Sequence, residues 1–246
     1  MSHMTPILLL IGLTAPATSL STAALDDILA CNAAALGGSA AFETIDNLRI
    51  ELDIREPTFE VEGTYVASRD GFMRIDIRAD GQRVFAEGLN AHGAWQWNPD
   101  AGVSAANAAG AAALRNGIES PGRFWTLAQL RGRGLGVELL EPGPLAREDE
   151  WQLRLTPAGG PVLDYFLARE TCLPTREVSS RAFHPDVDAT EVLIETSFSE
   201  PERIHGVLRF RRGESRNLAT GEWLGTTVVR SVEQNVKLAD DFFDAR

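Results

Sequence analysis

Histidines, cysteines and clustered charges are the side chains in this 246-residue sequence that could do chemistry. A transition-metal site needs His, Cys or carboxylate ligands at short, fixed spacings. His3, His92, His184 and His205 are scattered and none has a second His or Cys at such a spacing, so no metal is expected. There is no nucleophile elbow, phosphate loop or serine-lysine pair. Gly132, Gly134 and Gly136 lack the preceding strand and following helix that a dinucleotide site requires, and read as a flexible exit from a helical segment. Most carboxylates alternate with apolar residues, the pattern of a solvated strand face. Arg209, Arg211, Arg212 and Arg216 could meet a phosphate or an acidic partner, or keep an exposed strand edge soluble. The sequence therefore points to a binding protein, not an enzyme, with no cofactor.

The aromatic residues say more. Trp95 and Trp97 share one face of a short strand, and Phe124 and Trp125 lie in a helical segment; such residues serve either as packed core or as the wall of a cavity. Cys31 and Cys172 are the only cysteines. Both are expected to be buried. A disulfide between them is open, because it requires Cα atoms within about 7 Å; it would contribute roughly 4 to 5 kcal/mol by closing so long a loop.

These residues are positioned mainly by strands. In Leu48 to Arg55 the apolar Leu48, Ile50, Leu52 and Ile54 alternate with Arg49, Glu51, Asp53 and Arg55; Phe59 to Ala67 repeats the pattern, giving an antiparallel hairpin with one apolar face. Asp70-Gly71 and Asp80-Gly81 turn the chain into three further short strands, containing Met73 to Ile77, Val84 to Leu89 and Trp95 to Trp97. Ahead of them, Leu25 to Leu36 has helical spacing and stops at Gly37-Gly38. Residues 104–117 are Ala-rich and predict a helix, and Ser120-Pro121 predicts the start of a second, in which Phe124, Leu127 and Leu130 recur at helical spacing. Strand patterning resumes after Gly134 and runs to the end. With no linker and no repeat, residues 25–246 form one α+β domain: a large, strongly curved antiparallel sheet with a helical cover over its concave face.

Ile7 to Leu13 is apolar but too short to span a bilayer. With Ala15-Pro16-Ala17 and the small residues after it, it predicts an export signal over residues 1–24. The net charge of -12 disfavours nucleic acid and anionic membrane surfaces as partners.

Several short motifs, ordered along nearly the whole mature chain, resemble the periplasmic lipoprotein-carrier superfamily typified by the localisation factors A and B of outer-membrane lipoproteins. They are Ala35-Leu36-Gly37-Gly38, Gly63 to Arg69, Ala94 to Pro99, Glu170 to Pro174, Asn217 to Trp223 and the closing Glu233 to Phe243. The resemblance implies an unclosed β-barrel with a helical lid, holding acyl chains of a lipid or lipoprotein without reacting with them. It also implies a soluble periplasmic protein that exchanges cargo with inner- or outer-membrane transport proteins. Arg69 matches the arginine that holds the lid shut in the carrier. The alternative is an envelope sensor of the same fold that binds lipidated proteins without moving them. Asp70-Gly71, Asn90-Ala91 and Cys172 depart from the carrier's pattern, so the cargo is expected to differ. On the carrier reading, Leu52, Val61, Ile75, Trp95 and Trp97 on the sheet and Phe124, Leu127 and Leu130 on the cover line one apolar pocket.

Overall fold

A computed structural model describes residues 22–158, 160–184 and 188–245. The apolar run at Ile7 to Leu13 and all but the last three residues of the expected export signal lie outside that range. Helix α1, Thr22–Leu36, begins inside the expected signal and ends where the amides of Gly37 and Gly38 cap the carbonyls of Ala34 and Ala33. A short helix, α2 (Ser39–Glu43), leads into six strands: β1 (Asn47–Glu56), β2 (Phe59–Ser68), β3 (Met73–Ala79), β4 (Gln82–Asn90), β5 (Gly93–Asn98) and β6 (Gly102–Ala105). Helices α3 (Ala108–Ile118) and α4 (Leu127–Gly132) follow. The chain then forms β7 (Gly136–Leu139), β8 (Glu150–Thr156), β9 (Leu163–Ala168) and β10 (Pro174–Ala182), and closes with β11 (Glu191–Ile204), β12 (Val207–Asn217) and β13 (Trp223–Gln234).

All thirteen strands belong to one antiparallel sheet in the order β6-β5-β4-β3-β2-β1-β13-β12-β11-β10-β9-β8-β7. Every neighbour pair but one is a sequential hairpin; the exception is the seam between β1 and β13, which sets Leu48 opposite Gln234 and Arg55 opposite Thr226. The sheet is not closed, because β6 and β7 each end it. Register shifts in the β1/β13, β3/β4, β10/β9 and β12/β13 ladders add local bend and twist of the kind that curls a sheet this wide.

The chain between the two edge strands carries α3 and α4, so the helical cover spans the opening of the sheet. One core joins α2 and the cover to the sheet through Phe42, Ile45, Leu48, Met73, Phe124 and Leu130. A second joins α1 and α4 to β8 and β9 through Leu29, Leu127, Leu153 and Leu167. Phe42, Leu48, Phe124 and Leu127 are fully buried, each contributing about 1.5 to 3 kcal/mol relative to an exposed side chain.

A disulfide between Cys31 in α1 and Cys172 in the β9–β10 turn pins the first helix to the far half of the sheet, with Cα atoms 5.8 Å apart. Asn32 Nδ2 supports it by donating to the Cys172 carbonyl at 2.9 Å. Cys172 is buried, whereas Cys31 is exposed, contrary to the expectation that both are covered: Cys31 sits on the outward side of α1 while its neighbours Asn32 and Ala33 face in.

The cover departs from the sequence reading in two places. Ser104 and Ala105 belong to β6, whose pairing with β5 overrides the helical preference of the Ala-rich run, and α3 starts at Ala108 behind the Asn107 cap. Ser120-Pro121 starts no helix; α4 begins six residues later at Thr126, whose side chain and that of Gln129 form a reciprocal capping box.

Candidate ligand-binding site

Residues directly opposite one another in an antiparallel pair share a face. Leu52 lies opposite Gly63 and Ile54 opposite Val61; Gly63 and Tyr65 in turn face Ile77 and Ile75. Leu52, Val61 and Ile75 therefore share the concave face. Leu52 and Ile75 pack at the margin of the core that holds Phe124 and Leu130. Leu127 is buried instead in the second core, beneath α1.

The register places Trp95 and Trp97 on the opposite face. Trp95 lies across from Gly88, which lies across from Arg74; Trp97 lies across from Ala86, itself opposite Asp76. That face is convex and is covered by the end of the chain. Trp95 Nε1 donates to the Phe243 carbonyl at 3.0 Å, Arg74 stacks on Trp95 and donates to the carbonyls of Phe242 and Asp244, and Arg83 lies 3.9 Å over Trp97. The two tryptophans are thus no part of a pocket shared with Leu52 and Ile75. Gly88 makes the arrangement possible, since a Cβ there would stand 2.6 Å from the Trp95 ring.

Two cavities open between the concave face and the cover, both on the β8–β13 side. The larger, about 820 Å³, runs between α3, the chain after α4 and the ends of β8 to β10; Ala112, Leu130, Leu135, Leu155 and Leu163 give it apolar wall. Its size falls in the range of about 300 to 1,000 Å³ typical of small-molecule sites. The smaller, about 190 Å³, lies over β11 to β13 and is walled by Phe198, Ile204, Leu208, Phe210 and Val229. Ser120, Pro121 and Arg123 border both, so the turn ahead of α4 is the partition between them. Of the eight pocket residues expected from sequence, Leu130 alone lines either cavity.

Charged groups collect at that partition. The Arg123 guanidinium lies 4.4 Å over the Tyr65 ring. Arg209 donates to the carbonyls of Gly122 at 3.1 Å and Arg123 at 3.4 Å. Burial, together with the neighbouring positive charge of Arg123, pushes the Arg209 pKa down to about 10. Burial pushes Glu177 upward against the pull of Arg181 and Arg123, and raises the Tyr165 hydroxyl as well. The arginine run of β12 thus lies on an interior strand, between β11 and β13, and does not guard an edge. Arg209 and Arg211 face the smaller cavity, while Arg216 pairs with Glu214 at 2.7 Å.

Arg69 follows the last residue of β2. Its Nε donates to the Ile45 carbonyl at 2.7 Å, and its Nη2 donates to the carbonyls of Phe42 and, at 3.1 Å, Phe124. Its guanidinium also lies 5.4 Å from the Trp125 ring. One side chain thereby ties α2 and the link from α2 to β1 to the turn that precedes α4. On the convex side, Arg176 is buried in a network that sequence reasoning missed, with Glu150, Glu195 and the Leu145 carbonyl. Burial raises the Glu150 pKa, but hydrogen bonds from Arg176, Thr175 and the Arg147 amide outweigh it and hold the carboxyl below its usual range. Of the histidines, His184 bonds to Glu56 at 2.8 Å, His92 and His205 are exposed, and His3 lies outside the described residues. None of the described helices is long and apolar enough to cross a membrane.

No protein-family model matches the sequence, and a search of curated proteins finds no match. Solved structures do match. A DUF1329 family protein from Desulfovibrio piger superposes with a TM-score of 0.55 at 13% identity, over 89% of this chain and 96% of that one. A LolA superfamily protein from Nitrosomonas europaea gives 0.56 at 10% identity, over 88% and 96%. A domain named for outer-membrane lipoprotein sorting, from Vibrio parahaemolyticus, gives 0.56 at 9% identity, over 83% and 92%. At such identities the likeness is one of fold alone: the unclosed antiparallel sheet with its helical cover is shared with these three solved structures.

Proposed function

We propose that the protein is a periplasmic carrier that shelters the acyl chain of a lipid or lipoprotein between its curved sheet and its helical cover, and performs no chemistry on it. The observation that carries this reading is the pair of cavities under the cover, lying on either side of the turn of residues 120–123, with aliphatic and aromatic side chains over much of the wall of each. Apolar space of this kind favours a hydrocarbon guest, at about 0.8 kcal/mol per buried methylene. The cover rests on small residues: Ala109, Ala112 and Ala113 of α3 face the larger cavity, where side chains of their size leave the sheet unfilled. On this reading Leu52, Val61 and Ile75 of the sheet and Phe124, Leu127 and Leu130 of the cover are the apolar residues that cargo meets when the cover lifts, and Arg69 is its latch. The Cys31–Cys172 disulfide suits an oxidising compartment such as the periplasm. Lipoprotein sorting, named for the Vibrio domain, makes membrane transport proteins the natural partners on either side.

The test is displacement of a fluorescent fatty acid, together with identification of lipid extracted from the purified protein. Phe210→Glu, which puts a charge into the smaller cavity, should weaken binding at least tenfold. Absence of any acyl-chain binding by the folded parent protein, or undiminished binding by a folded Phe210→Glu variant, would overturn the carrier reading.

A further inference from the structure

The smaller cavity is greasy along most of its wall, yet it presents three arginines. Arg211 is already committed: it pairs with Glu202 and donates to the carbonyls of Val229 at 2.9 Å and Arg230 at 2.7 Å. Arg209 and Arg123 are not neutralised in this way. The two Nη atoms of Arg209 hold the backbone of Gly122 and Arg123, and its Nε is buried with no hydrogen-bond partner among the described residues. Leaving such donors unsatisfied away from water is costly, and keeping two guanidinium groups close together in an apolar cavity adds repulsion. Glu177 lines the larger cavity and not the smaller one, so it sits outside the space that Arg209 faces.

We infer that Arg123 and Arg209 form a receiving site for an oxyanion headgroup, so that the cargo class is an acyl chain bearing a carboxylate or phosphate, seated head-first at the partition between the cavities. An oxygen anion there would accept from the guanidinium groups of Arg123 and Arg209, both of which line the smaller cavity, and offset their positive charge, and a planar guanidinium fork suits both carboxylate and phosphate. Phe198, Leu208 and Phe210 then flank the first methylenes, while the larger cavity, which shares Arg123, takes a longer tail. This inference rests on the carrier reading and narrows it from apolar chains in general to anionic amphiphiles.

Calorimetric titration with dodecanoate, dodecyl phosphate, dodecanol and inorganic phosphate separates the possibilities. The anionic chains should bind at least tenfold more tightly than dodecanol, and phosphate alone should bind more weakly than dodecyl phosphate. In Arg123→Gln and Arg209→Gln the preference over dodecanol should shrink to about twofold. Arg209 also braces a turn, so the Arg123 variant, whose guanidinium stacks on Tyr65, carries the test if Arg209→Gln fails to fold. Equal binding of dodecanol and dodecanoate would overturn the headgroup site and leave the carrier reading standing. Phosphate binding as tightly as dodecyl phosphate would overturn the amphiphile assignment, and binding of none of the chains would remove both readings.

Discussion

Replacing Arg69 with leucine removes three charge-assisted hydrogen bonds, two to Phe42 and Ile45 on the α2 side and one to Phe124 ahead of α4. Only the last spans from the sheet and α2 to the cover. A bond from a charged donor contributes about 1.5 to 3 kcal/mol, and the guanidinium over the Trp125 ring about 0.5 to 2 kcal/mol more. The leucine retains part of the aliphatic packing, so the net loss to the closed cover is about 2 to 4 kcal/mol, or a rise in its opening equilibrium of roughly 30- to 1,000-fold. Native-state hydrogen exchange at the amides of Gln129 and Leu130, both bonded to Thr126 in the first turn of α4, follows the opening of that turn once its tie to the sheet is cut. Exchange there should accelerate by that factor, while the β1/β13 and β8/β9 ladders change only with global stability. A Lys variant, which cannot reach three carbonyls at once, should fall between. Uniform acceleration across all ladders would mean that Arg69 stabilises the whole fold and does not act as a latch, and no acceleration at all would refute the energetic argument.

Two further outcomes are expected. Reducing or deleting the Cys31–Cys172 bond, which spans 141 residues, should lower unfolding free energy by up to about 5 kcal/mol in the chain-entropy model; denaturant titration with and without reductant measures it, and an unchanged midpoint would refute the estimate. Glu150 has a folded pKa held below its unfolded value, so it contributes stability that is fully present above the unfolded carboxylate pKa and is lost as pH falls through the folded one. Glu150→Gln, which leaves the buried Arg176 with Glu195 as its remaining carboxylate partner, should cost about 1.5 to 3 kcal/mol at neutral pH and flatten the acid limb of a stability-pH curve; an acid limb identical to the parent's would refute the assignment.

The alternation of β1 and β2 was readable because one side of that hairpin is apolar and the other charged, and the concave placement of Leu52, Val61 and Ile75 followed from it. The same reasoning misplaced Trp95 and Trp97. Period two tells which residues share a face but not which face is inward, and β4 and β5 carry apolar residues on the convex side as well, where Phe243 meets Trp95. That contact joins residues 148 apart in sequence, and no local pattern announces it. The start of α4 was legible: Thr126-Leu127-Ala128-Gln129 is a capping-box sequence, but the more familiar Ser-Pro pair upstream drew the boundary away from it. Arg209 was visible as a charge on a strand. Its meaning depends on β12 lying inside the sheet, next to a terminal strand that pairs back to the first, and on a turn nearly ninety residues upstream folding over it.

The seam between β1 and β13 also governs how the molecule can assemble in time. All other ladders join strands that follow one another along the chain, so each half of the sheet can grow as a meander from short loops with little entropic cost per closure. The seam instead needs the first strand to wait for the last, and it is this one long-range closure that turns two half-sheets into a single curved wall. Until it forms, β1 and β13 each present an unpaired edge, the kind that recruits strands from other chains. A rate limited by that encounter is slow by the standards of local hairpins, and shielding the two waiting edges, more than speeding any hairpin, would decide how much newly made chain reaches the native state.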